Sequence, residues 1–136
     1  MRTLKKLTIK NFKSIREQTI EPGLLNIFIG GNGVGKSNLI EVFRFLREIV
    51  NQNLGGYTAQ KGGADKLLYF GRKQSSQMEI SLEFGEGDTS NAYDIKIKAS
   101  MMIASLFGAN RFSIMRRINI QSLGTVRFLL LQKNQN

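Results

Sequence analysis

A glycine-rich loop between an apolar run and an amphipathic segment constrains the fold of this chain more than any other feature. Residues 24–29 (LLNIFI) are almost continuously apolar, which is typical of a central strand covered on both faces. After the glycine-rich residues 30–35, apolar side chains recur at helical spacing between Lys36 and Val50, namely Leu39, Ile40, Phe43, Leu46 and Ile49. The charged residues of this segment, Glu41, Arg44, Arg47 and Glu48, are expected to fill most of the other face. The sequence therefore predicts a strand, a tight loop and a helix in direct succession.

The loop contains the residues that are expected to bind a ligand. Its residues, here called the glycine loop, fit the pattern G-x-x-x-x-G-K-[ST] known as Walker A and are Gly30, Gly31, Asn32, Gly33, Val34, Gly35, Lys36 and Ser37. Glycines let successive backbone N–H groups point into one concave nest at the positive end of a helix, which suits phosphate oxygens. Lys36 is expected to supply a cation to the β- and γ-phosphates, and the Ser37 hydroxyl is expected to coordinate Mg²⁺. A chance match is the alternative, but the strand before the loop and the helix after it supply the context that the motif needs.

The first fifty residues resemble a known family. Residues 7–14 (LTIKNFKS) and residues 31–41 (GNGVGKSNLIE) are similar to the N-terminus of ABC-type ATPase heads of the RecF, SMC and OLD-like group, also classed as AAA-domain ATPases. Val42 stands where alanine is common in that group. The resemblance covers residues 1 to about 98 and implies ATP and Mg²⁺ as cofactors. It also implies a second ATPase head as the partner of the complete protein.

The resemblance also implies roles for residues around the glycine loop, and two of the candidate residues have an open alternative. The resemblance implies that Asn32 lies near the phosphates and that Lys13, with Ser14, lies near the nucleotide. A solvated strand residue is the alternative for Lys13, because a cation near the phosphates is useful but not required. Asn38 is included among the candidate binding residues, although a residue of the first helical turn is the simpler interpretation.

The remaining segments predict an antiparallel sheet. Apolar residues 4, 7, 9, 12 and 15 interleave with lysines, as in a strand with one solvent-exposed face. Residues 18–21 are expected to form a short partner strand. The alternating runs Met78–Phe84 and Tyr93–Ile97 predict a hairpin. Residues 51–65, rich in Asn, Gln and Gly, predict a mobile loop. The expected fold class is α/β: a strand, phosphate-binding loop and helix with an antiparallel sheet, incomplete at the C-terminus.

Composition excludes several kinds of chemistry. The chain has 136 residues, which suffices for one domain at most. It contains no cysteine and no histidine, so it has no disulfide framework, no Cys/His zinc site and no Ser-His-Asp triad. It also lacks an apolar run long enough to span a membrane, and its first residues do not form a signal peptide. We therefore expect a cytoplasmic protein without a membrane partner.

The parts needed for hydrolysis are not recognisable in the sequence. An acidic Walker B strand should end in Asp-Glu, whereas the best apolar run, residues 128–131, ends in Gln132-Lys133. No N-K-x-D pattern supports a GTPase. The sequence thus predicts an ATPase head cut before its catalytic half, with no catalytic residue assigned.

Residues 99–136 contain no acidic residue, whereas residues 1–98 contain ten. Met101-Met102-Ile103 can be encoded only by ATG-ATG followed by a codon that begins with AT. Read two bases later, this DNA becomes GAT-GAT, which encodes Asp-Asp. We therefore separate a partial head at residues 1–98 from a basic tail at residues 99–136. The hypothesis is that this tail is translated out of frame or is disordered. A genuine basic tail is the alternative. The coding DNA tests this, because a stop a few codons into the shifted frame would contradict it.

The net charge of +10 supports a second functional hypothesis. The excess lies at the two ends, since residues 21–98 carry nine basic and nine acidic residues. A basic, non-enzymatic module that binds nucleic acid through these ends is the alternative function, although aromatic residues do not interleave with the charges. A third possibility is that the chain does not fold alone, because strands that lack neighbours expose edges and apolar faces.

Overall fold

The computed structural model describes residues 3–86, 89–106 and 127–132. These residues form six strands and four helices. In chain order they are β1 (Thr3–Phe12), β2 (Ile15–Ile20), β3 (Leu25–Gly30), α1 (Lys36–Val50), α2 (Leu54–Gln60), α3 (Ala64–Leu67), β4 (Gln77–Glu86), β5 (Thr89–Lys98), α4 (Ala99–Leu106) and β6 (Arg127–Gln132). The α/β class and the antiparallel sheet expected from the sequence are both present. In the described part of the chain, no helix combines the length and the apolar character needed to cross a membrane.

An antiparallel sheet of four strands in the order β2-β1-β4-β5 forms one layer of the fold. The predicted hairpin is confirmed, with Met78 opposite Ile97 and Ile80 opposite Ile95. Side chains alternate along β4, so that Met78, Ile80 and Leu82 are all buried on one face. The helices α1, α2 and α4 contribute the other side of the core, which includes Phe45, Leu46, Leu54 and Met102.

Strand β1 departs from strict alternation at both of its ends, and each departure has a local cause. Leu4 and Leu7 are both buried although they are three residues apart, because the pairing with β4 shifts between Leu4 and Lys6 and leaves Lys5 as an extra residue. Near the other end, Asn11 has a φ of 58°, which allows both Ile9 and Phe12 to reach the core. The strand ends at Phe12, so Ile15 opens β2 instead of extending β1 as the alternation had suggested.

The segment 51–65 is not the loop that its composition predicted. Residues Leu54–Gln60 form α2, and α3 begins at Ala64. Leu54 and Tyr57 are buried, and the Tyr57 ring lies 5.7 Å from the Phe45 ring between centroids. Each glycine inside a helix costs about 1 kcal/mol relative to alanine, but burial of a large apolar side chain contributes about 1.5–3 kcal/mol. Tertiary contacts therefore outweigh the weak helical propensity of Gly55 and Gly56.

Strand β3 lies outside the four-stranded sheet. It pairs in parallel with β6, which places Gly30 beside Gln132 at the carboxyl ends of the two strands. Leu25, Ile27 and Ile29 are 58%, 52% and 70% exposed. Phe28, on the opposite face, packs against the core, so the expectation of a strand covered on both faces is wrong for this structure because only one face is covered.

The proposed boundary at residue 98 falls between β5 and α4. Helix α4 follows directly, and its residues Ala99 and Met102 belong to the buried core. The part of the expected tail at residues 107–126 and 133–136 lies outside the described residues, so the hypothesis about its origin stays a prediction.

Candidate functional site

The glycine loop connects the end of β3 to the start of α1, as its sequence context predicted. Gly33 and Gly35 have φ values of 83° and 95°, in the left-handed region that favours glycine. Gly35 precedes α1 and accepts a hydrogen bond from the Leu39 N–H at 3.0 Å, which is the first bond of the helix. Because glycine has no side chain that could cap the helix, the N–H groups of the first turn are left to other acceptors. This arrangement provides a helix N-terminus suited to an anion.

The Lys36 side chain folds back over the glycine loop. Its ammonium donates to the carbonyl oxygens of Gly30 and Gly31, at 2.7 Å in each case. A positive charge is thereby fixed over the start of the loop instead of extending into solvent. The next residue, Ser37, lies exposed in the first turn of α1. The cation and the hydroxyl of the motif are therefore adjacent on one helical turn.

The outer part of the glycine loop faces solvent. Asn32, Gly33 and Val34 are exposed, and Val34 retains 66% of its surface. Their exposure leaves this side of the loop open to a ligand.

The turn between β1 and β2 lies against the glycine loop. The side-chain amide of Asn38 donates to the Ser14 hydroxyl oxygen at 2.8 Å. A Cβ atom added to Gly35 would lie 3.2 Å from that same oxygen. Lys13, the neighbour of Ser14, has a φ of 50°, and its backbone N–H donates to the Leu67 carbonyl at 2.9 Å. The structure thus brings the Lys13-Ser14 turn to the loop, and it uses Asn38 as a bridge between the turn and α1.

A buried polar cluster around Glu41 was missed by the sequence analysis, which placed this residue on the charged outer face of α1. The Glu41 side chain is 11% exposed. Its Oε1 accepts a hydrogen bond of 2.5 Å from the Tyr57 hydroxyl and lies 2.6 Å from the Lys61 ammonium. Lys61 also lies over the Tyr57 ring, 5.3 Å from its centroid. The partners come from α2 and from the residue after it, so the helical spacing of α1 alone carried no signal for this cluster.

The cluster holds Glu41 in its ionised form. Burial disfavours the carboxylate, but the hydrogen bonds from Lys61 and Tyr57 and the charge of Lys13 outweigh it, so the pKa of Glu41 lies below its ordinary value of 4.5. Burial and the hydrogen bond to Glu41 both raise the pKa of Tyr57 well above its ordinary value of 10.0. Glu41 therefore accepts from a neutral phenol and from a cationic lysine near neutral pH.

Two lysines of the sheet have acidic neighbours, and one of them, Lys10, belongs to the basic N-terminal segment that motivated the nucleic-acid hypothesis. Lys10 lies 3.0 Å from Glu17, and Lys96 lies 4.0 Å from Glu79. These pairs reduce the positive charge that the strands present to solvent. The geometry therefore adds no support to a nucleic-acid surface on this sheet.

Comparisons with known proteins agree with the fold. Residues 3–131 match the AAA ATPase domain family. The DNA replication and repair protein RecF of Renibacterium salmoninarum is 34% identical over 87 residues, which is 59% of this chain and 21% of that protein. The chain therefore spans about a fifth of the length of this relative.

Two solved structures of the recombination mediator protein RecF in the RecFOR pathway share the fold. One is described as RecF-ATPrS and the other as RecF-ATP, and each has a TM-score of 0.50 and 22% sequence identity. Each comparison covers 73% of this chain, and 24% and 25% of the respective RecF chains. The resemblance to RecF-type heads that the first fifty residues indicated is confirmed, and the chain belongs to the AAA ATPase domain family.

Proposed function

We propose that this chain binds ATP together with Mg²⁺ through the glycine loop. The observation that carries the proposal is the position of the Lys36 ammonium, 2.7 Å from two loop carbonyls, at the start of a helix whose first N–H groups have no capping side chain. Membership of an ATPase family and the similarity of fold to a protein described as RecF-ATP support it.

Each residue of the loop has a role in this proposal. The backbone N–H groups of residues 30–35, Asn32 and Val34 among them, surround the phosphates, and Lys36 supplies the cation to the β- and γ-phosphates. Asn38 holds the loop to the Lys13-Ser14 turn. Lys13 adds a second positive charge near the nucleotide.

The donor set fits a nucleotide-bound Mg²⁺ only in part. The Ser37 hydroxyl is exposed at the first turn of α1, where it can provide one oxygen ligand. Among residues 3–86, 89–106 and 127–132 there is no cluster of three or more acidic side chains that could hold a metal. The remaining ligands would therefore be phosphate oxygens and water, which is how Mg²⁺ is commonly bound beside nucleotides.

Hydrolysis is proposed for the complete ATPase head and not for the residues of this chain. Strand β6 ends at Gln132 beside Gly30, and neither Gln132 nor Lys133 carries a carboxylate that could hold a metal or polarise water. A pair of heads that bind ATP between them, with DNA as a further partner, and a cytoplasmic location are proposals for that complete protein.

Binding of a Mg²⁺-ATP analogue to purified protein at near-physiological salt tests the proposal. Saturable binding by the wild type is expected to be lost in Lys36→Ala and weakened in Ser37→Ala. Lys98→Ala is the matched control, because it removes the same charge from an exposed position on the edge strand β5. Absence of binding by folded wild-type protein, or equal binding by wild type and Lys36→Ala, would contradict the proposal.

A further inference from the structure

An exposed aromatic residue lies on a segment attached to the nucleotide-binding side of the fold. Residues 67–69 run beside the end of β1: the Lys13 N–H donates to the Leu67 carbonyl at 2.9 Å, and the Tyr69 N–H donates to the Asn11 carbonyl at 3.1 Å. These bonds fix the next residue, Phe70, relative to the turn whose Ser14 contacts Asn38. Phe70 therefore has a defined position with respect to the glycine loop.

The conformation of Phe70 is unfavourable on two counts. Its side chain is 78% exposed, and its φ is 51°. Left-handed backbone is uncommon for a bulky residue, and an exposed phenyl ring gains nothing from burial. Asn11 and Lys13 also have positive φ values, so three of the four non-glycine residues with positive φ in the described part of the chain meet at this junction. Concentrated backbone strain of this kind is characteristic of ligand sites.

One ring contact holds Phe70, and a second set of bonds anchors the segment that follows it. The Tyr69 ring meets it edge-on, with centroids 4.6 Å apart and an interplanar angle of 87°. Two residues after Phe70, Arg72 is bound to Asp65 through Nε at 2.7 Å, Nη2 at 3.1 Å and its backbone N–H at 3.0 Å, which anchors the chain that follows the ring. Phe70 is thus a preorganised apolar ring presented to solvent, which is what a stacking surface requires.

The attachment of the Phe70 segment to the end of β1 points to the base of a nucleotide as the partner of Phe70. Asn11, whose carbonyl accepts from the residue before Phe70, lies three positions before Ser14 at the glycine loop, so the backbones of Asn11 and Ser14 are at most about 11 Å apart. A nucleotide with its phosphates in the loop extends its ribose and base over a comparable distance. Aromatic rings stack on nucleobases whatever the base, because every base has a π-face.

We propose that Phe70 is the stacking platform for the base of the nucleotide whose phosphates bind the glycine loop. This assignment rests on the proposed function. Because stacking depends on the π-face alone, Phe70 raises the affinity for ATP and GTP alike, whereas it contributes nothing to the binding of a phosphate chain without a base.

Comparison of two ligands tests this assignment. Affinities for Mg²⁺-ATP and for Mg²⁺-tripolyphosphate are measured by calorimetry on wild type, Phe70→Ala, Phe70→Gly and Phe70→Tyr. Phe70→Ala is expected to weaken ATP binding about 5- to 150-fold, the range that one base-aromatic stack supplies. Tripolyphosphate binding should not change. Phe70→Gly removes the ring and accepts a φ of 51° without strain, so it should fold and show the same loss.

The controls separate this inference from the function on which it rests. Phe70→Tyr should retain ATP affinity within about twofold, since it keeps the ring. Leu24→Ala, at another highly exposed apolar residue, should bind both ligands as the wild type does. Unchanged ATP affinity in Phe70→Ala and Phe70→Gly, or an equal loss for ATP and tripolyphosphate, would overturn the role of Phe70 while leaving nucleotide binding intact. A wild type that binds neither ligand would overturn both proposals.

Discussion

The Tyr57→Phe substitution tests whether the buried cluster around Glu41 stabilises the fold. The Tyr57 hydroxyl donates 2.5 Å to a carboxylate whose side chain is only 11% exposed. A hydrogen bond to a charged group contributes about 1.5–3 kcal/mol, and phenylalanine keeps the ring packed against Phe45. We therefore expect the free energy of unfolding to fall by about 2 kcal/mol, which lowers Tm by roughly 6–10 °C at this chain length.

The pH dependence sharpens the test. The pKa of Glu41 is lowered by folding, so the stabilisation from its ionised form is complete above the unfolded value of 4.5 and is lost as pH falls through the folded pKa. Urea unfolding of wild type and Tyr57→Phe at pH 7 and at pH 3 should show a difference that is largest at pH 7 and shrinks at pH 3. Tyr93→Phe, whose ring packs against Phe84, is the matched control and should change stability by less than about 0.5 kcal/mol. A Tyr57→Phe protein as stable as wild type at pH 7, or a difference in stability that does not shrink as pH falls from 7 to 3, would refute the reasoning.

Two further predictions concern the glycine loop. Gly35→Ala should destabilise the fold by about 1–2 kcal/mol, because the φ of Gly35 is 95° and the added Cβ would lie 3.2 Å from the Ser14 hydroxyl oxygen. Thermal unfolding measures this, with Gly23→Ala as the control because the φ of Gly23 is not positive. Equal Tm values for the two variants would contradict the prediction. Ser14→Ala should weaken binding of a Mg²⁺-ATP analogue about 2- to 10-fold by removing the acceptor for Asn38. Asn38→Ala should cause a similar loss, and the double substitution should cause little more. Titrations of the wild type, the two single variants and the double variant test this, and fully additive losses would show that the two side chains act independently.

Local sequence patterns were sufficient where neighbours in the chain determine the structure. The apolar spacing placed α1 at Lys36–Val50, as the structure has it, because an amphipathic helix beginning after Gly35 depends on residues of its own segment. The alternation in residues 78–84 and 93–97 likewise sufficed for the hairpin, since its strands are joined by a short connection. The glycine loop was found from its motif and its two flanking elements.

Local sequence patterns did not predict the structure where contacts with residues distant in the chain determine it. Glu41 has the spacing of an outer-face residue, but Tyr57 and Lys61 cover it, and a window over α1 contains neither of them. The glycines of α2 have weak helical propensity, and only the burial of Leu54 and Tyr57 compensates for it. The apolar run of β3 was interpreted as buried because the sequence does not reveal which sheet a strand joins. Phe70 carries no sequence signal, because its exposure follows from the backbone pairing of its neighbours.

The two carbonyl contacts of Lys36 make nucleotide binding an exchange of partners. Because the Lys36 ammonium lies 2.7 Å from the oxygens of Gly30 and Gly31, these carbonyls compete with phosphate oxygens for the same donor. A phosphate that draws the ammonium away must compensate for two hydrogen bonds before it gains any net affinity. In return, the loop needs little ordering when a nucleotide arrives, because the lysine already holds its backbone in shape. The affinity that a titration measures is therefore a difference between two sets of acceptors for one ammonium, and the loop itself supplies one set.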